Sequence, residues 1–258
     1  MQNNTFSTLF VGQNLIKLSA VDSTNNYLKN LASNSEPLAE GTVIMADHQF
    51  AGRGQMNNEW IAEAGKNLTF SLLLRPNFLK AIEQFFLNMA VSIALNNVLL
   101  KYLPVGLTIK WPNDIYVENK KIGGILIENV IVGSNIKHSI IGIGLNINQS
   151  DFKGDLKYKT TSISQILQQD VNLMALLNEI CTQIEQLYLK LRAGKYTALK
   201  ELYVSKLYRL NQVATYAAAA DGKMFEGTIE GISNEGLLKI KPLDGKTVEF
   251  GFKEVAFI

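Results

Sequence analysis

The chain has 258 residues, 47% hydrophobic and 19% charged, which is the make-up of an ordinary soluble globular protein with room for one large domain or a medium one plus a small one. A formal net charge of only +2 gives the whole-molecule field little hold on nucleic acid. The single cysteine, Cys181, excludes an intramolecular disulfide and fits a reducing compartment, and His48 and His138 are too few for a Cys/His metal site. The polar N-terminus MQNNTFST lacks the basic and apolar regions of a signal peptide. No apolar run approaches the ~20 residues that span a bilayer, so a cytoplasmic protein with no membrane role is expected.

Asp22-Ser23-Thr24-Asn25, ahead of Tyr27, Leu28 and Leu31, predicts a short N-capped helix. Gly41 to Ala46 predicts a buried strand. Asp47 to Trp60, with two glycines and few aliphatics, predicts a long irregular loop, and loops of this length usually carry function or are disordered. Asn67 to Leu74 returns as a strand, and Ala81 to Leu100 repeats apolar residues at helical spacing. Val105 to Trp111 alternates towards strand. Residues 113–117 and 121–128 predict a hairpin around Glu118-Asn119-Lys120, and a second pair turns at Gly133-Ser134-Asn135 and returns from Ile140 to Asn148. Residues 149–162 form a polar loop bearing Phe152 and Tyr158. Helical patterns cover 163–169, 172–192 and about 195–208. The second places Leu173, Leu176, Ile180, Ile184, Leu187 and Leu191 on one stripe, and Cys181 within it is expected to be a buried thiol. After Leu210, short runs at 211–219, 223–231, 237–241 and 246–251 alternate with Asp221-Gly222, Asn234-Glu235-Gly236 and Asp244-Gly245, the texture of a small β-barrel. The expected division is 1–209 and 210–258.

The most informative stretch is Lys110-Trp111-Pro112-Asn113-Asp114, with Lys121-Ile122-Gly123-Gly124-Ile125-Leu126 following it. Two cations, an amide, a carboxylate and two glycines inside apolar strand-like sequence are costly to bury unpartnered, and a bound carboxylate or phosphate would partner them. Paired glycines in a strand also mark close backbone approach by a ligand. Gly52-Arg53-Gly54, inside the long loop, offers turned N–H groups and a planar fork for an anion. It matches neither the P-loop pattern nor the dinucleotide fingerprint. Gly142-Ile143-Gly144-Leu145-Asn146-Ile147-Asn148 ends a strand with two amides on one face, placed to read a base edge or a ribose. Each fragment alone would equally suit a solvent-facing strand, a turn or a mobile loop; four in one domain point jointly to a small anionic ligand.

In this order, Asp22-Ser23-Thr24-Asn25, the Gln49-to-Trp60 loop, Lys110 to Asp114, Lys121 to Leu126 with Glu128, and Gly142 to Asn148 resemble the segments of biotin protein ligases, from about residue 15 to the C-terminus. The resemblance implies an α+β catalytic domain, with a mixed, mostly antiparallel sheet and flanking helices, followed by an SH3-like barrel. It implies activation of biotin by ATP to biotinyl-5′-AMP and pyrophosphate, with magnesium on the substrate phosphates. Biotin then passes to one lysine of a biotin carboxyl carrier domain. Bringing a carboxylate to a phosphate sets anion against anion, so cations and aligned N–H donors are needed. By resemblance Lys121 and Arg53 fill that role, and Asp114 positions or deprotonates the incoming lysine. Ser23, Thr24, Asn25 and Gln49 with Gly52, Arg53, Lys121 and Gly124 form the biotin site. Gly54, Gln55, Trp60, Lys110, Asn113, Asn146 and Asn148 form the ATP and adenylate site.

Two departures from the family pattern stand out. Gln55 and Asn57 occupy positions where many members carry arginine and glycine. The loss of a guanidinium at Gln55 predicts looser retention of the adenylate unless Lys66 or Arg75 compensates, and Asn57 bears on how closely the loop folds over the ligand. Only 21 residues precede Asp22, too few for a helix-turn-helix domain, so a monofunctional ligase without DNA binding is expected. An exposed sheet edge would permit a homodimer. The rival readings are a lipoate-type acyl ligase, which Ser23, Thr24 and Gln49 argue against, and a non-catalytic biotin- or nucleotide-binding sensor, against which both cations argue.

Overall fold

The computed structural model describes residues 6–34, 38–55 and 58–258. Seven strands, β1 (Leu15–Val21), β2 (Val43–Gln49), β3 (Leu68–Leu74), β4 (Leu107–Lys110), β5 (Asp114–Val117), β6 (Lys120–Val132) and β7 (Asn135–Leu145), form one sheet in the order β1-β2-β3-β7-β6-β5-β4. Only β1 and β2 run parallel; every other neighbouring pair is antiparallel, as expected for the mixed, mostly antiparallel sheet. The helices are α1 (Thr24–Asn34), α2 (Phe85–Leu99), α3 (Leu156–Lys159), α4 (Ile163–Leu167), α5 (Leu173–Arg192) and α6 (Tyr196–Ser205).

The two faces of the sheet have different fates. Val43, Met45, Phe70, Leu72, Ile125, Ile141, Ile143 and Leu145 point into a core shared with Leu87 and Val91 of α2 and Leu176, Ile180 and Ile184 of α5. Cys181 lies in the same core, fully buried, and burial pushes its thiol up to about 12. On the opposite face Leu28 of α1 meets Ile44, Leu73 and Ile140, so α1 covers one half. The half beyond it remains open as a cleft.

Strands β8 (Val213–Ala218), β9 (Met224–Ile232), β10 (Leu238–Pro242), β11 (Val248–Phe250) and β12 (Val255–Phe257) form a second, antiparallel sheet in the order β11-β10-β9-β8-β12. Among the described residues no rung joins β11 to β12, so the expected barrel takes the form of a five-stranded sheet. It docks beside the cleft. The Trp111 indole N–H donates to the Gly236 carbonyl at 2.9 Å, and the Phe85 ring lies so close to Gly236 that no Cβ would fit there.

Several boundaries differ from the sequence reading. β2 continues through Gln49 because it pairs with β1 as far as Val21, so the irregular loop begins at Phe50 and not at Asp47. The return strand β7 starts at Asn135 and stops at Leu145, leaving Asn146 and Asn148 beyond its end. A short helix, α3, interrupts the 149–162 loop, α6 stops at Ser205, and β12 had no counterpart in the expectations. The stretch Ala81–Leu99 is long and apolar enough, by length and composition, to cross a membrane, contrary to the expectation that no run comes near it. It is the central core helix with a 3-10 turn at its start, and a helix enclosed on all sides is apolar all round.

Candidate active site

Two rows of paired residues cross the open half of the sheet. In one, Thr69 pairs with Gly144, Gly144 with Gly124, and Gly124 with Asp114. In the next, Ser71 pairs with Gly142, and Gly142 with Leu126. Opposed residues project to the same face, so three glycines leave the floor bare where side chains would fill it. The resulting cleft holds about 340 Å³, within the range of small-molecule sites. Its walls come from the start of α1, from the loop after β2, from the β4–β5 connection and, across the gap, from Phe252 and Lys253 on the turn between β11 and β12.

The bare floor is used from above. The Trp60 indole lies flat on Gly144, where a Cβ would stand 2.7 Å from Cζ2 and 2.9 Å from Cδ2, and the Asn25 amide lies on Gly142. The Trp60 indole N–H is buried without a protein acceptor among the described residues. A ligand oxygen or nitrogen would satisfy this donor.

A continuous hydrogen-bond chain runs along one wall. Gln49 Oε1 accepts from the Thr24 backbone N–H at 2.7 Å and from its hydroxyl at 3.0 Å. The buried Ser71 hydroxyl lies 2.7 Å from Thr24 Oγ1 and 2.6 Å from Asn25 Oδ1. Asn25 Nδ2 donates to Glu128 Oε2 at 2.8 Å, and Arg53 Nη2 donates to Glu128 Oε1 at 2.9 Å. Arg53 Nη1 donates to Asn26 Oδ1, and Asn26 Nδ2 donates to Asp22 at 2.8 Å. That last bond is the main cause holding the Asp22 carboxyl below its usual range. On the opposite wall Lys121 Nζ lies 2.7 Å from Asp114 Oδ1. Arg53 and Lys121 therefore each carry a carboxylate partner, and an arriving anion shares them.

Most of the sequence-predicted residues line this cleft: Ser23, Thr24, Asn25, Gln49, Arg53, Gly54, Gln55, Trp60, Asn113, Asp114, Lys121 and Gly124. Asn113 is buried and donates to the Ile125 carbonyl while its own carbonyl accepts from Ile125 at 3.1 Å, which clamps the β4–β5 connection onto β6. Gly52 lies outside the lining, pressed beneath the Trp60 carbonyl, where a Cβ would collide. Lys110 turns away into an aromatic cage, 4.9 Å from the ring centres of both Tyr116 and Phe257. Burial there, opposed by Asp114, lowers its pKa. Asn146 is buried and outside the lining, its backbone N–H donating to Ile122 at 2.8 Å. The Asn148 amide is spent on both backbone groups of Val171, at 2.9 Å each. β7 ends at Leu145, so Asn148 lies beyond the strand that would set both amides on one face.

Neither Lys66 nor Arg75 reaches the cleft; the Arg75 guanidinium donates to the Leu38 carbonyl at 2.8 Å. Asn57 lies outside the described residues. Phe152 is buried and Tyr158 exposed, and neither lines the cleft. Sequence reasoning missed Ser71, Asn26, Phe252 and Lys253. Ser71 did leave a signal, one of two hydroxyls, with Thr69, in the wholly buried strand LTFSLLL, which had to find partners. Among the described residues no group of three acidic, histidine or cysteine side chains could hold a metal ion.

Known proteins share both the sequence and the architecture. The "bifunctional ligase/repressor BirA" of Bacillus spizizenii is 34% identical over 241 residues, covering 92% of this chain and 72% of that protein. The "biotin--[acetyl-CoA-carboxylase] ligase" of Paracoccus denitrificans is 27% identical over 237 residues, covering 90% and 95%. The solved structure of a biotin protein ligase from Aquifex aeolicus in complex with biotin and ATP superposes with a TM-score of 0.80 at 26% identity, covering 95% of this chain and 99% of that one. The sequence model of the biotin/lipoate A/B protein ligase family matches residues 18–146, which hold the glycine floor, Arg53 and the Lys121–Asp114 pair. With half of its length inside that match, the chain belongs to the biotin/lipoate A/B protein ligase family.

Proposed function

We propose that the chain is an ATP-dependent, AMP-forming biotin protein ligase that modifies one lysine of a biotin carboxyl carrier domain. The observation that carries this reading is the pair of cations, Arg53 and Lys121, facing one cleft above a glycine floor. The biotin carboxylate oxygen bonds to the α-phosphorus of ATP, the bond to the β-phosphate bridging oxygen breaks, and pyrophosphate leaves with its electron pair. Arg53 and Lys121 offset the repulsion of the two anions and the charge that builds on the phosphate. In the second step the lysine amine attacks the acyl carbon, an amide forms, AMP departs and the amine gives up a proton. Asp114, beside Lys121, is the carboxylate best placed to receive it. Gln49, Thr24 and Ser71 supply donors and acceptors at the other end, suited to a ureido ring whose polar groups need partners when buried.

Residues 1–209 form the catalytic unit and 210–258 a small β unit that lends it a wall through Phe252 and Lys253. Ligation alone is assigned, with no repressor role, and a single buried thiol suits a reducing cytoplasm. If two copies pair, they do so through β1, because residues 206–208 already bond to the edge strand β4. The test is ATP- and biotin-dependent transfer of label to a biotin carboxyl carrier domain. Wild type should transfer, and Lys121→Ala should lose roughly 10²–10³ of the rate, the scale of removing one charge-stabilising donor. Biotin binding without pyrophosphate release would overturn the ligase reading in favour of a sensor.

A further inference from the structure

Glu128 is a half-buried carboxylate on β6 whose two oxygens serve different elements: Oε1 accepts from Arg53 Nη2 at 2.9 Å and Oε2 from Asn25 Nδ2 at 2.8 Å. Its side chain is 23% exposed, against 40% for Arg53. Arg53 lies on a loop, has one other side-chain contact, with Asn26, and would otherwise sweep a wide arc, since an arginine loses considerable rotamer freedom when fixed. The Asn25 amide in turn rests on Gly142 and bonds to Ser71. Loop, helix and sheet thus meet at one carboxylate.

We propose that Glu128 is the positioning residue of this cleft, fixing the Arg53 guanidinium and the Asn25 amide in a single geometry before any ligand arrives. An arginine has five N–H donors in a rigid fork, so with two of its nitrogens engaged by Glu128 and Asn26 it keeps donors free for an incoming anion. Both partners of Glu128 are donors. A glutamine of the same shape can accept from only one of them and turns its own N–H₂ group against the other, so the charge and the double acceptor are both required. The role of this geometry in catalysis rests on the ligase reading; the geometry itself does not.

The test is therefore read twice. Without ligand, trypsin cleavage after Arg53 reports release of its side chain, with cleavage after the exposed Lys246 as internal control. Glu128→Gln should speed cleavage after Arg53 by about three- to tenfold, a range discounted for the exposure of the pair, while cleavage after Lys246, the control for global unfolding, stays as in wild type. In turnover, KM for biotin should rise severalfold more than kcat falls, a split that mere loss of folded protein does not produce. Unchanged cleavage after Arg53 in Glu128→Gln overturns the proposal. If wild type shows no biotin-dependent turnover at all, the ligase reading fails, and the cleavage measurement still decides whether Glu128 holds Arg53.

Discussion

Replacing Gly144 by alanine should damage the cleft without touching a charged group. The added Cβ would stand 2.7 and 2.9 Å from two indole carbons of Trp60, where carbon contacts settle at about 3.5–4.0 Å. The ring must withdraw by about 1 Å, because Gly144 lies in the middle of the sheet, paired on both sides with Thr69 and Gly124, and cannot yield. The Trp60 backbone N–H bonds to Gly52 at 3.0 Å, and Glu59 bridges Arg53, so displacement is passed along the loop to the guanidinium. Overpacking of this kind costs about 1–3 kcal/mol. Charged against ligand binding, this predicts a loss of about 5- to 150-fold in kcat/KM. The assay is label transfer at varied ATP and biotin, with intrinsic fluorescence alongside. Only two tryptophans are present, and Trp111 is held by Gly236, so a red shift reports Trp60. Trp60→Phe in the Gly144→Ala background should recover part of the loss, since the smaller ring fits over a methyl. Wild-type kinetics and unshifted emission in Gly144→Ala would refute the argument.

Two further outcomes test other parts of the molecule. Glu185 on α5 is 6% exposed and accepts from the backbone N–H groups of Leu9, Phe10 and Val11 at 2.8, 2.8 and 3.0 Å. Glu185→Gln turns one acceptor into a donor facing a donor and should cost about 2–3 kcal/mol. In a chain of this size the thermal midpoint should fall by roughly 5–10 °C, and a shift under a degree would contradict the clasp. Lys110 has its pKa lowered chiefly by burial, so between that lowered value and the ordinary 10.5 the unfolded chain binds more protons, and stability gained from this group rises with pH. Against Lys110→Met, wild type should therefore gain stability in denaturant titrations as pH climbs towards 10.5; a constant difference would sink the assignment.

The helices and most strands were legible because their burial is periodic. Leu176, Ile180, Ile184 and Leu187 form a stripe that can only be the inner face of α5, and the hairpin at Glu118-Asn119-Lys120 announced itself by its turn. The cations and glycines of the cleft were legible because they broke an apolar pattern. What could not be read was who faces whom. Lys110 looked like a ligand-binding cation, yet its surroundings are set by Phe257, far along the chain, whose strand of three residues is too short to carry a pattern. Asn148 looked like a reader of bases because period-two alternation was extended past Leu145, where β7 ends and the Asn148 backbone bonds to Lys66 outside the ladder. Phe252 and Lys253 carry no local signature, since their role is created by the docking of Gly236 on Trp111.

That docking has a consequence for synthesis. As the chain emerges from the ribosome it acquires Arg53, Asp114 and Lys121 early, and domains generally fold in the order they appear. The wall supplied by Phe252 and Lys253 is encoded more than a hundred positions later. A nascent chain can thus expose its cations and glycine floor for many seconds before the cleft is whole, long enough to bind a small anion but not to enclose it.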